Sequence, residues 1–70
     1  MMPLTLARPG ETVTIRKISG RDETRQHLAE LGFVVDSAVT VVSELAGSLI
    51  LQVKDSRVAL DRNLAGRILI

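Results

Sequence analysis

Glu23, His27 and Glu30 stand four and three residues apart. On a helix that spacing lines their side chains along one stripe. Carboxylates with an imidazole are ligands for a divalent transition metal. A closed site wants about four ligands and the stripe offers three, so the expectation is weak divalent metal binding at most and no resident cofactor. The same stripe reads equally as a solvated helix face. His27 is the only histidine and there is no cysteine. A nucleophile-and-base pair would have to be built on His27, which is flanked by acids, and catalysis also needs an orienting group and a concave site. The glycines, Gly10, Gly20, Gly32, Gly47 and Gly66, are isolated, and no Gly-Lys-Ser/Thr follows any of them, so no phosphate-cradling loop is present. No catalytic residue is expected and the chain does not read as an enzyme. Arg21, Arg25 and His27 are candidates for contact with a partner protein, because each takes an exposed position on the same helix.

These side chains depend on a short helix whose ends the sequence marks. Asp22 and Glu23 suit the positive end of a helix dipole. Thr24, Leu28 and Leu31 fall on one face with Ala29 beside it, and Gly32 stands where a left-handed C-cap residue is expected. A helix over roughly 22–31 would be marginal alone. It must cover something apolar, most simply an open end of a barrel.

Around this helix the chain alternates with a period of two. Thr12-Val13-Thr14-Ile15 reads as a strand. Its phase slips near Arg16-Lys17 before Ile18, as a β-bulge would produce. In the run from Ala38 to Leu45, Val39, Val41 and Leu45 are expected to face inward, with Thr40 and Glu44 opposite. Ala46-Gly47-Ser48 makes a hairpin loop. Leu49, Leu51 and Val53 then alternate with Ser48, Ile50 and Gln52. Lys54-Asp55-Ser56-Arg57 suits a tight hairpin built on its two central residues. Val58 and Leu60 follow, then a 3₁₀-like turn from Asp61 to Gly66 and a final strand from Arg67 to Ile70. The expected fold is mainly β, a small closed barrel of about five strands with one inserted helix, in a single domain spanning 1–70. Val42 and Ile50 fall out of step with their strands, and Val34 and Val35 fall in a turn. Scattered apolar surface residues are common and are the simpler account of these than a patch for a partner. The last strand ends at Ile70 without protection. An unpaired edge can pair with a second copy, so a homo-oligomer through that edge is an expectation.

Composition narrows the function further. Seventy residues without cysteine must hold together by burial, and a hydrophobic content of 46% is consistent with that. The longest apolar runs are triplets such as Leu49-Ile50-Leu51, far short of the about 20 residues that a membrane span needs. Met1 to Ala7 lacks the basic start and apolar core of a signal peptide. A soluble, intracellular chain is expected. The net charge is +1 and Phe33 is the only aromatic residue. There is no basic excess for phosphates and no stacking platform for bases, so no nucleic-acid partner is expected. Aromatic-lined grooves for proline-rich peptides are likewise unsupported.

The order of signals resembles the FeoA family of bacterial ferrous-iron transport proteins. The resemblance is carried by Leu6, Gly10, Val13 and Ile15, then Leu28, Leu31-Gly32-Phe33, Val39 and Val41, then Gly47, Ala59-Leu60, Ala65, and Ile68 with Ile70. It covers nearly the whole chain, and the ordered set is more specific than any one element. There are departures. The family often has Pro-Gly where this chain has Val35-Asp36, a basic residue where it has Asp61, and Arg where it has His27. The resemblance implies an SH3-like barrel with an inserted helix and a cytoplasmic location at the inner face of the cell membrane. It also implies work beside FeoB, a membrane iron transporter with its own GTPase domain. Activation of a GTPase would typically call on an arginine finger; Arg21 and Arg25 are available, but nothing marks either as one. The same barrel resembles the C-terminal domain of iron-dependent repressors. That implies a second reading, a stand-alone metal-sensing or regulatory module acting in trans.

Overall fold

In the computed structural model, which describes all of residues 1–70, the chain follows the alternation read from its sequence, with corrections where pairing is decided at a distance. A 3₁₀ turn at Leu4–Leu6 precedes β1 (Thr12–Thr14), β2 (Lys17–Ile18), α1 (Asp22–Glu30), β3 (Ala38–Leu45), β4 (Ser48–Val53), β5 (Ser56–Asp61), α2 (Arg62–Ala65) and β6 (Ile68–Leu69). Four strands form one antiparallel sheet in the order β1-β3-β4-β5, and β2 pairs with β6 in a second. The fold is mainly β, with six strands where about five were expected.

The additional strand comes from the phase slip at Arg16-Lys17. It is not a bulge. The Ile15 N–H still donates to the Ser37 carbonyl, at 2.9 Å, but the Arg16 N–H donates to the Leu69 carbonyl, at 2.7 Å. The chain thus changes partner at a corner between the two sheets, and Ile15 is buried in that corner. A bulge does occur, in β3. Val41 pairs with Leu51 but Ser43 pairs with Ile50, which leaves Val42 as the extra residue. Because side chains alternate strictly along a strand, one added residue reverses the phase beyond it. Leu45, expected inward with Val39 and Val41, therefore stands opposite Ser48 and is 68% exposed.

The β3–β4 hairpin turns on Ala46 and Gly47, at φ +52° and +82°. Two left-handed residues in a two-residue loop are the signature of a type I′ turn. The next hairpin closes with Val53 opposite Ser56, so its turn residues are Lys54 and Asp55, one position earlier than the centred reading. In β4, Leu49, Leu51 and Val53 are buried as expected.

The helix ends as its sequence requires. Gly32, at φ +104°, donates its N–H to Ala29, and the Phe33 N–H reaches back to the Leu28 carbonyl at 2.9 Å. That pair of bonds is a Schellman motif, in which the residue after the glycine packs on the residue five before it. Both Leu28 and Phe33 are fully buried in the core. From Asp61 to Gly66 the turn is α-helical, not 3₁₀, and the Asp61 carboxylate caps it by accepting from the Leu64 N–H at 2.8 Å.

One cluster of twelve buried residues, from Leu4 to Ile68, forms the core and contains no polar side chain. Leu4 is buried in it, whereas Leu6 is 62% exposed. The C-terminal edge is not open. Met2 and Ile70 exchange two backbone hydrogen bonds, at 3.0 and 2.8 Å, and Pro3 bridges Leu69. With β2 on its other side, β6 has no free edge for a second copy, which removes the basis of the expected oligomer at that strand.

Candidate functional site

Burying Ile15 at the sheet corner turns the next two side chains, Arg16 and Lys17, out to solvent. They form one rim of a groove of about 550 Å³ that runs between the corner and α1. The opposite side is supplied by Asp22, Arg25, Gln26 and Ala29 of α1, and one end by Phe33, Val34 and Val35. Ile18 completes the apolar part of the lining. Phe33 is the buried backing of the groove, whereas Val34 and Val35 are 38% and 51% exposed.

Local backbone bonds set this geometry. The Ser37 N–H donates to the Val34 carbonyl, at 3.1 Å, across a turn in which Asp36 takes φ +73°. A left-handed third residue under such a bond is the pattern of a type II turn. The Asp36 N–H also donates to the Ile15 carbonyl, at 2.8 Å. The turn that presents Val34 and Val35 is thus fastened to the corner that presents Arg16 and Lys17. Of the lining cations, Arg25 forms an ion pair with Asp22 on the exposed surface of α1. The only other ion pair joins Arg62 to Glu44. Arg16 and Lys17 therefore face the groove without an acidic partner.

This lining can bind but offers little for catalysis. It holds no histidine, cysteine or serine, and its one carboxylate is engaged by an arginine. Apolar surface beside unpaired cations suits an apolar side chain flanked by acids, since charge complementarity sets orientation while burial supplies contact.

The structure separates the residues singled out in the sequence. Arg25 lines the groove. Arg21 sits at the N-cap of α1 with extended backbone and makes no side-chain capping bond, and neither it nor His27 reaches the groove. Glu23, His27 and Glu30 are all exposed, and no three potential ligands come together as a metal site. Of the four apolar residues out of step, Val42 and Ile50 are half-buried on the sheet, while Val34 and Val35 sit together at the groove. Arg16 and Lys17 were not singled out as binding residues. Their signal lay in the phase slip itself, two adjacent cations between two apolar residues where the strand loses its register.

The same fold recurs in known proteins. An archaeal protein of Methanocaldococcus jannaschii, provisionally named Fe(2+) transport protein A, is 33% identical over 70 residues, covering 100% of this chain and 85% of the relative. The crystal structure of an iron uptake regulatory protein, FeoA, superposes with a TM-score of 0.88 at 30% identity, over 96% of this chain and 89% of that one. The zinc complex of FeoA from Stenotrophomonas maltophilia, described as a prokaryotic SH3 domain protein, gives 0.86 at 25% identity, over 99% and 88% of the two chains. A manganese-dependent transcriptional repressor gives 0.84 at 28% identity, but the match spans 94% of this chain and only 38% of the repressor. The barrel is therefore SH3-like, as the sequence resemblance implied. The family model described as the FeoA domain matches residues 2–70, and the chain belongs to the FeoA domain family.

Proposed function

We propose that this protein is a non-enzymatic cytoplasmic accessory of ferrous-iron transport. In this reading it docks on the cytoplasmic part of a FeoB-type GTPase transporter through the groove between α1 and the β1–β2 corner. The observation that carries the reading is the family match across nearly the whole chain. The groove supports docking: exposed Val34 and Val35 give it apolar contact, and Arg16 and Lys17 give it unpaired positive charge. Arg25, already paired with Asp22, is a lesser contributor, because an exposed ion pair is worth little and is easily exchanged.

The test is a titration of the protein with the purified cytoplasmic part of such a transporter, followed by amide NMR. Binding is expected at a Kd of about 1 mM or tighter, and R16E/K17E should weaken it by about tenfold, equivalent to about 1.4 kcal/mol. Added salt should weaken it in the same direction. No binding at near-millimolar concentration would sink the accessory reading. Unchanged binding by the double variant, with its spectrum otherwise native, would move the contact away from the groove.

A metal-sensing or regulatory module is the second reading, favoured by the likeness to the manganese-dependent repressor. A calorimetric titration with ferrous iron under anaerobic conditions decides it. Heat at micromolar protein and metal, lost in E23Q and H27Q, would place a site on the stripe of α1; no heat would end this reading.

A further inference from the structure

The four-stranded sheet has two edges, β1 with three residues and β5 with six. Along β5 the two-residue turn closes on the pair Val53–Ser56. That closing pair is hydrogen-bonded, and bonded and non-bonded pairs alternate along an antiparallel ladder. Leu51–Val58 and Leu49–Leu60 are then bonded pairs as well. The backbone groups of Arg57 and Ala59 and the N–H of Asp61 point away from β4, and no backbone bond from another part of the chain reaches Arg57 or Ala59. The Asp61 carbonyl, at the N-cap of α2, takes the first bond of that helix. The three side chains are exposed on the outer face.

The order of these residues is self-complementary. If two copies of β5 pair antiparallel about Ala59, Ala59 faces Ala59 and each Arg57 faces the Asp61 of the other copy. Ala59 offers both outward backbone groups, and Asp61 offers its N–H to the Arg57 carbonyl, so the register meets the hydrogen-bonding phase with two bonds at the Ala59 pair and one at each Arg57–Asp61 pair. The non-bonded pairs between them set Val58, half-buried at the barrel rim, against Leu60. Charged side chains on an edge strand ordinarily discourage pairing. Here a second copy supplies the opposite charge at each position, and opposite charges directly across a ladder are stabilising. We infer that the β5 edge is a self-association surface, at which two copies of this chain pair antiparallel in the Ala59–Ala59 register. The inference is independent of transporter binding, because no β5 residue lines the groove.

The test is sedimentation equilibrium of the whole protein from micromolar to millimolar concentration, with amide exchange read by NMR across the same range. A reversible dimer is expected, with exchange at Ala59 and Asp61 slowing as concentration rises and exchange at Val58 and Leu60 changing little. A59P removes an outward N–H and no bond to β4, a place where an edge strand tolerates proline. It should lower the association constant by about tenfold or more. R57D should do the same through like charges at both ends, and an equimolar mixture of R57D with D61K should recover association as a heterodimer. Because Asp61 also caps α2, folding of D61K is checked by the β4–β5 amide exchange. A monomer up to millimolar concentration overturns the inference, as does a dimer that A59P leaves intact. A dimer insensitive to R57D, or a mixture that fails to recover although both variants are folded, overturns the register.

Discussion

At the turn after α1, Asp36 holds φ +73° where the family often has the glycine of a Pro-Gly pair. An L-residue pays about 1–2 kcal/mol for left-handed backbone, less for Asp than for most. The turn survives because two backbone bonds fix it, Ser37 to Val34 and Asp36 to Ile15. D36G should therefore raise stability by about 0.5–1 kcal/mol, the relief of strain being partly offset by the freer unfolded chain. G32A should do the opposite and cost about 1–2 kcal/mol, because φ +104° is closed to alanine although a Cβ there would meet Val53 only at ordinary contact distance. Urea denaturation of both variants checks the pair, and destabilisation by D36G would mean that the freer unfolded chain outweighs the strain relieved at this turn. Gly32 was legible in the sequence because a helix stop is a local matter of residue type. Asp36 was not, because its type argues against the conformation that its neighbours impose. Asp61, a departure from the family's basic residue, has a local account: its carboxylate caps α2.

Elements were legible to the extent that their periodicity is their own. The helix was expected over roughly 22–31 and occupies Asp22–Glu30, and the inward positions of β4 were read correctly. The failures lie where a strand answers to a distant partner. The β1–β2 break depends on β6, some fifty positions away in the chain, and the β3 bulge depends on register against β4. On paper Leu45 continues the inward series of Val39 and Val41; in the sheet Val42 has already reversed it. The bulge therefore predicts unequal costs for two leucines. L51A should lose about 2–5 kcal/mol through the cavity it leaves, whereas L45A should stay within about 0.5 kcal/mol as an exposed substitution. Equal losses in thermal unfolding would mean that Leu45 is covered in solution and that the phase does not reverse. The same dependence on pairing hid part of the candidate site. Arg25 could be read from a helix face, but Arg16 and Lys17 become groove residues only through the corner that β6 creates.

Across the whole molecule, the two ends of the chain stabilise the corner that bears the groove. Arg16 is held by its N–H to Leu69, Leu69 is bridged by Pro3, and Ile70 is bonded to Met2 on the far side. Leu4, fully buried next in line, anchors this N-terminal segment in the core. A domain of this size has a stability of about 4–10 kcal/mol at 0.05–0.15 kcal/mol per residue, so one anchor is a large fraction of it. L4A should cost about 2–5 kcal/mol, while L6A, at an exposed position, should be nearly silent. The loss should also have a location. If the N-terminal segment holds β6, and β6 holds the corner, the amides of Arg16 and Ile70 in L4A should exchange faster than those of the β3–β4 hairpin, which has its own ladder. Hydrogen exchange under native conditions resolves the two regions. Uniform acceleration would mean that the barrel opens as one unit. Faster exchange confined to Arg16 and Ile70 would show that the rim cations of the groove are positioned from the opposite end of the sequence.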